Sequence, residues 1–351
     1  MYRFFLLLFV SVLSCGLSAQ NNFSKYYSEA AENTDKGNYQ LGIENFNKAI
    51  AFKEEAKNKY KIADAYIYRA YCRYQLKNYK AAIKDVNEAI AIKPEYTKGY
   101  QFKATFLLDM KNYDSCIAVC AKGLSYQSSN EELLFTKAKA SFNKKEYSVC
   151  HGTLVQAIEI NPNNTDAIRL LACVYQKRKQ WDSSLVYFNK VLEIDPLDYV
   201  SLFDRGISKS HLKDFSGAQV DIEKAMQIDT ASKFIGYNNL GFFLDLEKKD
   251  YEKALESFNK SIALAPGFAY AYSNRAFAKL QLGDIKGAYA DIHKSLSLDP
   301  ENTYAYKNLG LIQLRDKKTK AACKSFSKAI DMGYTEAYDN AVELLQKENC
   351  P

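Results

Sequence analysis

Histidines, cysteines and carboxylates are the side chains of this chain that could carry out catalysis or bind a metal. The chain has 3 histidines, 8 cysteines and 41 acidic residues. His151, His211 and His293 lie far apart, and none has a cysteine or a second histidine at the spacing of a metal site. We find neither a glycine-rich phosphate loop nor a Gly-x-Ser-x-Gly motif. The sequence therefore predicts no metal, no cofactor and no catalytic residue, and we expect a protein that is not an enzyme.

Two cysteines are close enough along the chain to suggest a redox or metal-binding pair. Cys116 and Cys120 are one turn apart in a helix, and Cys150 occupies the position of Cys116 in the next unit of the repeat described below. The interpretation that we favour is that these cysteines replace alanine as small buried residues. The odd number of cysteines after Cys15 and their scattered positions argue against a disulfide framework, and we expect Cys350 to be exposed.

The charges of the chain argue against a nucleic-acid partner. The net charge is +7, from 48 basic and 41 acidic residues, and the two signs are interspersed along the sequence without a run of five or more Lys or Arg. Such a pattern is typical of a solvated helix surface. The 27 tyrosines and 20 phenylalanines are more informative, because aromatic side chains are common anchors in protein interfaces.

The first 19 residues have the pattern of an export signal. A single positive charge at Arg3 precedes an apolar run at residues 4–14, which is shorter than the roughly 20 residues that span a bilayer. Small residues then permit cleavage after Ala19. The alternative is a bacterial lipoprotein signal, in which Cys15 is lipidated and becomes the first residue. Both alternatives predict a mature chain outside the cytoplasm, in the periplasm or associated with the outer membrane of a bacterium.

The elements that position the aromatic residues repeat along the chain. Five of the six prolines fall in one register, and the spacing from Pro162 to Pro196 equals that from Pro266 to Pro300. Small residues recur at intervals of about 34 residues after a longer first step, which predicts closely packed helices. This series consists of Ala30, Ala70, Ala104, Ala138, Ala172, Gly206, Gly241, Ala276 and Gly310.

Apolar residues spaced by three, four and seven predict that each repeat is a helix, a short turn and a second helix. The segments 161–196 and 272–300, with Asn161-Pro-Asn-Asn-Thr165 and Tyr272-Ser-Asn-Arg-Ala276, closely resemble the tetratricopeptide repeat family. The resemblance covers about nine repeats between residues 23 and 333 and implies an all-α fold, a right-handed superhelical α-solenoid. A periodic apolar face predicts a C-terminal capping helix at residues 335–347.

The resemblance also implies where a partner binds. In this family the first helix of each repeat lines a concave groove, so we take polar and aromatic residues of the first helices as candidates. Phe277 and Leu311 stand where some family members place the asparagines that grip a C-terminal carboxylate, so we do not expect that specificity. The candidates are Tyr68, Tyr71, Tyr74, Phe102, Phe135, Phe142, Phe203, Asn238, Asn239, Phe242, Asn274, Phe277, Lys307, Asn308 and Arg315.

These features favour a scaffold or adaptor that binds a peptide or a partner domain in its groove. The partner is a protein rather than a nucleic acid, and only a lipid on Cys15 would attach the chain to a membrane. An alternative hypothesis is an accessory subunit of an envelope complex, which binds a glycan or a lipidated substrate through the aromatic residues.

Overall fold

The computed structural model describes residues 21–56, 58–242, 249–333 and 350. Within these ranges the chain forms eighteen α-helices and no strand, so the predicted all-α repeat fold is confirmed. The predicted export signal at residues 1–19, including Cys15, and the predicted capping helix at residues 335–347 lie outside the described ranges.

The helices form antiparallel pairs, with a first and a second helix in each repeat. The first helices are α1 (Asn22–Asp35), α3 (Lys59–Gln75), α5 (Thr97–Asp109), α7 (Glu131–Asn143), α9 (Thr165–Lys177), α11 (Tyr199–His211), α13 (Lys233–Asn239), α15 (Ala269–Gln281) and α17 (Thr303–Arg315). The second helices are α2 (Tyr39–Ala51), α4 (Tyr79–Ile92), α6 (Tyr113–Leu124), α8 (Tyr147–Ile160), α10 (Trp181–Ile194), α12 (Phe215–Ile228), α14 (Tyr251–Leu264), α16 (Ile285–Leu298) and α18 (Thr319–Asp331).

Polar caps and left-handed turns end these helices. Asn164 accepts a hydrogen bond from the backbone N–H of Ala167 at 2.9 Å, and Asp198 caps the next repeat in the same way. The turn between the two helices of each repeat contains one residue with positive φ. This residue is glycine at Gly37 and Gly283, which suits a conformation that strains other residues. In the other turns it is Lys77, Lys111, Lys145, Lys179, Lys213, Lys249 or Lys317.

The recurring small residues lie where the paired helices come closest. A Cβ on Gly241 would meet the ring of Phe258 at 2.7 Å, and one on Gly206 would meet Ile222 at 3.0 Å. The residues opposite are large and fully buried, as Phe46, Phe188 and Phe258 show. Small and large side chains therefore complement each other across the helix pairs, as the periodicity predicts.

The chain divides into two compact units, unit 1 at residues 1–162 and unit 2 at residues 163–351. The described part of unit 1 contains α1 to α8, and that of unit 2 contains α9 to α18. First helices of successive repeats are in contact within each unit. In unit 1, α5 contacts both α3 and α7, and in unit 2, α15 contacts α17.

A recurring ionic cluster joins three consecutive helices at several places, and we call it the Arg–Asp–Asn cluster. In unit 2, Arg205 of α11 donates two hydrogen bonds to the carboxylate of Asp221 on α12, at 2.8 and 2.6 Å, and a third to Asn189 on α10 at 2.8 Å. Lys209 lies 2.8 Å from the same carboxylate. The equivalent clusters are Arg69, Asp85 and Asn47 in unit 1 and Arg275, Asp291 and Asn259 in unit 2.

One cysteine pair differs from the expectation. Cys323 of α18 forms a disulfide with Cys350, which is half-buried rather than exposed. The prediction of unpaired cysteines is therefore wrong for these two, because their sequence separation of 27 gives no sign that they meet. Cys116, Cys120 and Cys150 lie outside this disulfide and are fully buried, in agreement with their interpretation as small core residues.

Candidate functional site

A cavity in unit 2 opens between the first helices of repeats 8 and 9, and we call it the α15–α17 cavity. Its volume is about 360 Å³, which lies within the range of small binding pockets. Every lining residue belongs to a first helix, and α15 and α17 contribute the same three positions of two successive repeats. The lining residues are Phe277, Leu280 and Gln281 of α15 and Leu311, Leu314 and Arg315 of α17.

The chemistry of the cavity is an apolar surface with a cation at its edge. Leu280 is buried, whereas Phe277, Leu311 and Leu314 are half-buried and offer hydrocarbon to the space between the helices. Arg315 is exposed, and within the described ranges no carboxylate pairs with it. The cavity can therefore hold an apolar group and a negative charge side by side.

Three of the residues predicted from the sequence meet at this site. Phe277 and Arg315 line the cavity, and the ammonium of Lys307 lies 5.4 Å from the centre of the Phe277 ring. A cation over an aromatic face is attracted by the ring quadrupole.

The predicted asparagines lie deeper than a partner would reach. The side-chain amide of Asn274 donates to Asn238 at 2.9 Å, and that of Asn308 donates to the backbone carbonyl of Ser273 at 2.9 Å. Asn238 and Asn274 are 8% exposed and Asn308 is 3% exposed, and Asn239 is buried as well. The amide donors of Asn274 and Asn308 hold neighbouring repeats together, so they are not offered to an extended peptide.

The predicted tyrosines of unit 1 form one continuous aromatic cluster with their neighbours. Tyr74 stacks on Phe106 at 4.2 Å and donates its hydroxyl hydrogen to Asp109 at 2.8 Å. The rings of Tyr68 and Tyr71 both meet the ring of Phe102, at 6.3 and 6.2 Å. The four predicted residues, the three tyrosines and Phe102, are brought together by α3 and α5, and each is half-buried.

A half-buried lysine organises the polar side of this cluster. Lys98 donates to the hydroxyl of Tyr68 at 2.8 Å and to the carboxylate of Asp64 at 2.9 Å. Burial alone would lower the pKa of Lys98, but these two hydrogen bonds raise it overall. The pKa of Tyr96, which donates to Asp64, rises to about 12 because of burial and this carboxylate. Lys98 thus stays charged and fixes the ring of Tyr68.

The remaining predicted residues lie apart from both clusters. Phe135 lies under the ammonium of Lys139 at 4.9 Å, and Phe142 meets Tyr147 edge to face at 5.7 Å. Phe242 is half-buried and packs against the core cluster that contains Ala254 and Phe258. The interpretation of Phe203 as a groove residue needs correction, because it is only 6% exposed and packs in the core of unit 2.

Sequence reasoning missed the leucines of the cavity and the Arg–Asp–Asn cluster. Leu280 and Leu314 occupy the same position of successive repeats, as do Gln281 and Arg315, so the repeat register alone could have paired them. The cluster has a signal of the same kind, an Arg followed by an Asp 16 residues later. It went unnoticed because the charges look evenly mixed in the linear sequence.

Two negative observations apply to the described ranges alone. No group of three or more His, Cys, Asp or Glu in that part of the chain is placed to hold a metal ion. None of the helices seen there is long and apolar enough to cross a membrane.

Comparison with known proteins identifies the repeat. Residues 34–97 and 236–268 match sequence models of the tetratricopeptide repeat. This chain contains tetratricopeptide repeats. Its fold is similar to the crystal structure of a tetratricopeptide repeat protein from Parabacteroides merdae, with a TM-score of 0.63 and 20% identity over 73% of this chain and 99% of that one.

Two relatives align with parts of this chain. The Hsp70-Hsp90 organizing protein of Triticum aestivum is 32% identical over 113 residues, which are 31% of this chain and 19% of that protein. The mitochondrial import receptor subunit TOM70 of Homo sapiens is 24% identical over 248 residues, which are 68% of this chain and 40% of that protein. The chain therefore spans less than half the length of either relative.

Proposed function

We propose that this protein is a non-catalytic interaction scaffold, which holds a peptide segment or a domain of a partner protein against the faces of its first helices. The observation that carries the proposal is the α15–α17 cavity, an apolar recess edged by Arg315 and lined only by first helices. Apolar recesses with few polar groups are the usual anchoring points of ligands. The names of the two relatives describe an organizer of two other proteins and a subunit of a receptor, which supports an interaction role.

The same proposal includes export from the cytoplasm. A disulfide such as Cys323–Cys350 persists in oxidising compartments and is rare in the cytosol. The apolar segment at residues 4–14 supports the same location. Periplasmic or outer-membrane placement, with or without a lipid on Cys15, is tested by fractionating cells that express the full chain and its Cys15→Ala variant.

Affinity capture from envelope extracts tests the scaffold. We expect the full chain to retain a defined protein, and a charge reversal at Arg315 or the pair Tyr71→Ala and Tyr74→Ala to reduce its recovery at least fivefold. Tyr126→Ala is a matched control, because Tyr126 lies just after the C-cap of α6 and is 42% exposed. Circular dichroism confirms that each variant is folded. Recovery that is unchanged in both groove variants would contradict the proposal.

The alternative function, a glycan-binding or lipid-substrate-binding accessory subunit, is supported by the aromatic cluster of α3 and α5. Its rings are largely engaged with one another and with Lys98, which leaves less free ring surface for a sugar to stack on. A glycan array separates the two functions: binding that Tyr71→Ala abolishes, together with undiminished protein capture, would favour the alternative.

A further inference from the structure

The α15–α17 cavity has a shape and a charge that specify its ligand further. Four of its six lining side chains are hydrocarbon, and the charged one is Arg315. The nearest acidic neighbour in the sequence, Asp316, accepts hydrogen bonds from Lys318 at 2.6 Å and from Tyr289 at 3.1 Å. The carboxylate of Asp316 is thus committed elsewhere, and in the part of the chain that the structure describes no carboxylate pairs with the guanidinium of Arg315.

The spacing along α17 fixes the distance between the two binding elements. Leu311 and Arg315 are four residues apart in one helix, so their Cβ atoms are separated by about 5–6 Å. In an extended peptide, side chains two residues apart point to the same side and are about 7 Å apart. Adjacent residues point to opposite sides. An apolar residue in the cavity and an acidic residue two positions away therefore match this surface.

We propose that the α15–α17 cavity binds an extended segment of a partner protein with the pattern apolar-x-acidic. A bulky apolar side chain enters between Phe277 and Leu311, and the Asp or Glu two positions away pairs with Arg315. The cavity volume of about 360 Å³ accommodates a leucine, methionine or phenylalanine side chain. This inference rests on the proposed scaffold function and names the class of segment that its C-terminal repeats accept.

Charge complementarity argues for a peptide rather than another occupant. A nucleic acid needs several phosphate contacts, whereas one arginine edges this cavity. A sugar needs several hydrogen-bonding groups, and the polar lining consists of Gln281 and Arg315. A peptide with an apolar side chain and a nearby carboxylate can fill the apolar recess and pair with Arg315 at the same time.

Selection from a random twelve-residue peptide library on the immobilised full chain tests the inference. We expect the enriched peptides to carry a bulky apolar residue two positions from Asp or Glu. In a fluorescence anisotropy titration of one enriched peptide, alanine in place of the apolar residue should weaken binding about tenfold or more. Glutamine in place of the acidic residue should weaken it roughly threefold, as expected of an exposed ion pair.

Variants of the protein give the decisive result. Arg315→Glu lies on an exposed side chain, so it should leave the fold intact and change the preferred residue from acidic to basic while the apolar preference remains. Leu311→Asn should remove the apolar preference. Two controls should bind the peptide as the wild type does. Lys286→Glu changes an exposed charge on α16, and Leu282→Asn changes a leucine that is 40% exposed; neither residue lines the cavity.

The outcomes separate this inference from the scaffold function. The inference would be overturned if the enriched peptides lacked the pattern, or if Arg315→Glu left their binding unchanged. The scaffold function would still stand in either case, because the segment could bind to another first-helix face. A library that yields no peptide overturns the inference as well, and the partner captured from extracts decides the scaffold independently. Binding of a glycan that Leu311→Asn abolishes would overturn both.

Discussion

Removal of the Asp221 carboxylate should destabilise the protein by about 3 kcal/mol. The Asp221 side chain is 3% exposed and accepts hydrogen bonds from Arg205 at 2.8 and 2.6 Å, with Lys209 at 2.8 Å. Breaking a buried ion pair by removing one partner costs about 3–5 kcal/mol, because the other charge stays buried. The side chains of Arg205 and Lys209 are 19% and 21% exposed, so water partly solvates them and the lower end of that range applies.

Urea denaturation of Asp221→Ala, followed by circular dichroism, measures this effect. The control is Asp182→Ala, because Asp182 is an exposed residue in the first turn of α10 and its loss should change the free energy of unfolding by less than about 0.5 kcal/mol. The midpoint should fall with the slope unchanged.

Replacing all three charged residues tests whether the destabilisation of Asp221→Ala comes from the unpaired charges that it leaves or from lost packing. Asp221→Leu combined with Arg205→Met and Lys209→Met removes all three charges, and we expect it to recover most of the stability lost in the single variant. A single variant that loses less than about 1 kcal/mol, or a triple variant less stable than the single one, would refute this reasoning.

Three further predictions concern the turns, the disulfide and the histidine of α11. Lys213 has φ of 64°, and Lys213→Gly should stabilise the protein by about 0.5–1 kcal/mol in thermal unfolding, because glycine adopts this conformation without strain. Cys350→Ser removes the bond to Cys323 across a sequence separation of 27 and should cost about 3 kcal/mol, an effect that a reductant reproduces in the wild type. His211 stacks on Trp181 at 3.9 Å, and burial lowers the pKa of His211 from 6.5 to about 4. The folded state therefore favours the neutral ring, and the loss of stability between pH 6.5 and pH 4 should be larger in the wild type than in His211→Phe by about 2 kcal/mol, a figure reduced because the ring is only half-buried.

Matched controls make each of these predictions specific. Lys224→Gly changes an exposed lysine inside α12 and should destabilise by about 1 kcal/mol, so equal effects at Lys213 and Lys224 would contradict the turn argument. Reductant should have no effect on Cys350→Ser. The fluorescence of Trp181, the single tryptophan, reports protonation of His211 directly, and a midpoint near 6.5 in the folded protein would contradict the burial argument.

The repeat could be predicted from the sequence because its signals are redundant. A small residue such as Gly241, the large residue Phe258 that it faces, and the turn at Pro266 each predict the same helix pair. Nine units in one register leave little freedom to a competing fold.

The site was less predictable, because a first helix exposes only part of its surface. Phe277 and Arg315 lie on first helices, as the repeat register predicts, and both line the α15–α17 cavity. Phe203 also lies on a first helix, but its side chain is buried. The amide of Asn308 turns toward a backbone carbonyl of the preceding repeat, and a single sequence does not show the direction of a side chain. The pairing of Cys323 with Cys350 depends on where the tail returns, which no local pattern encodes.

The distribution of the Arg–Asp–Asn clusters has a consequence for motion within unit 2. One cluster ties α14, α15 and α16 together through Asn259, Arg275 and Asp291. In repeat 9 the corresponding bond is a neutral one between Gln313 and Ser325 at 2.7 Å, which joins α17 to α18 only. Amide hydrogen exchange should therefore be faster in α17 than in α15. The α15–α17 cavity lies at this seam, where Asn308 of α17 donates to Ser273 of α15 at 2.9 Å, so we expect a ligand that parts the two helices to strain a neutral hydrogen bond.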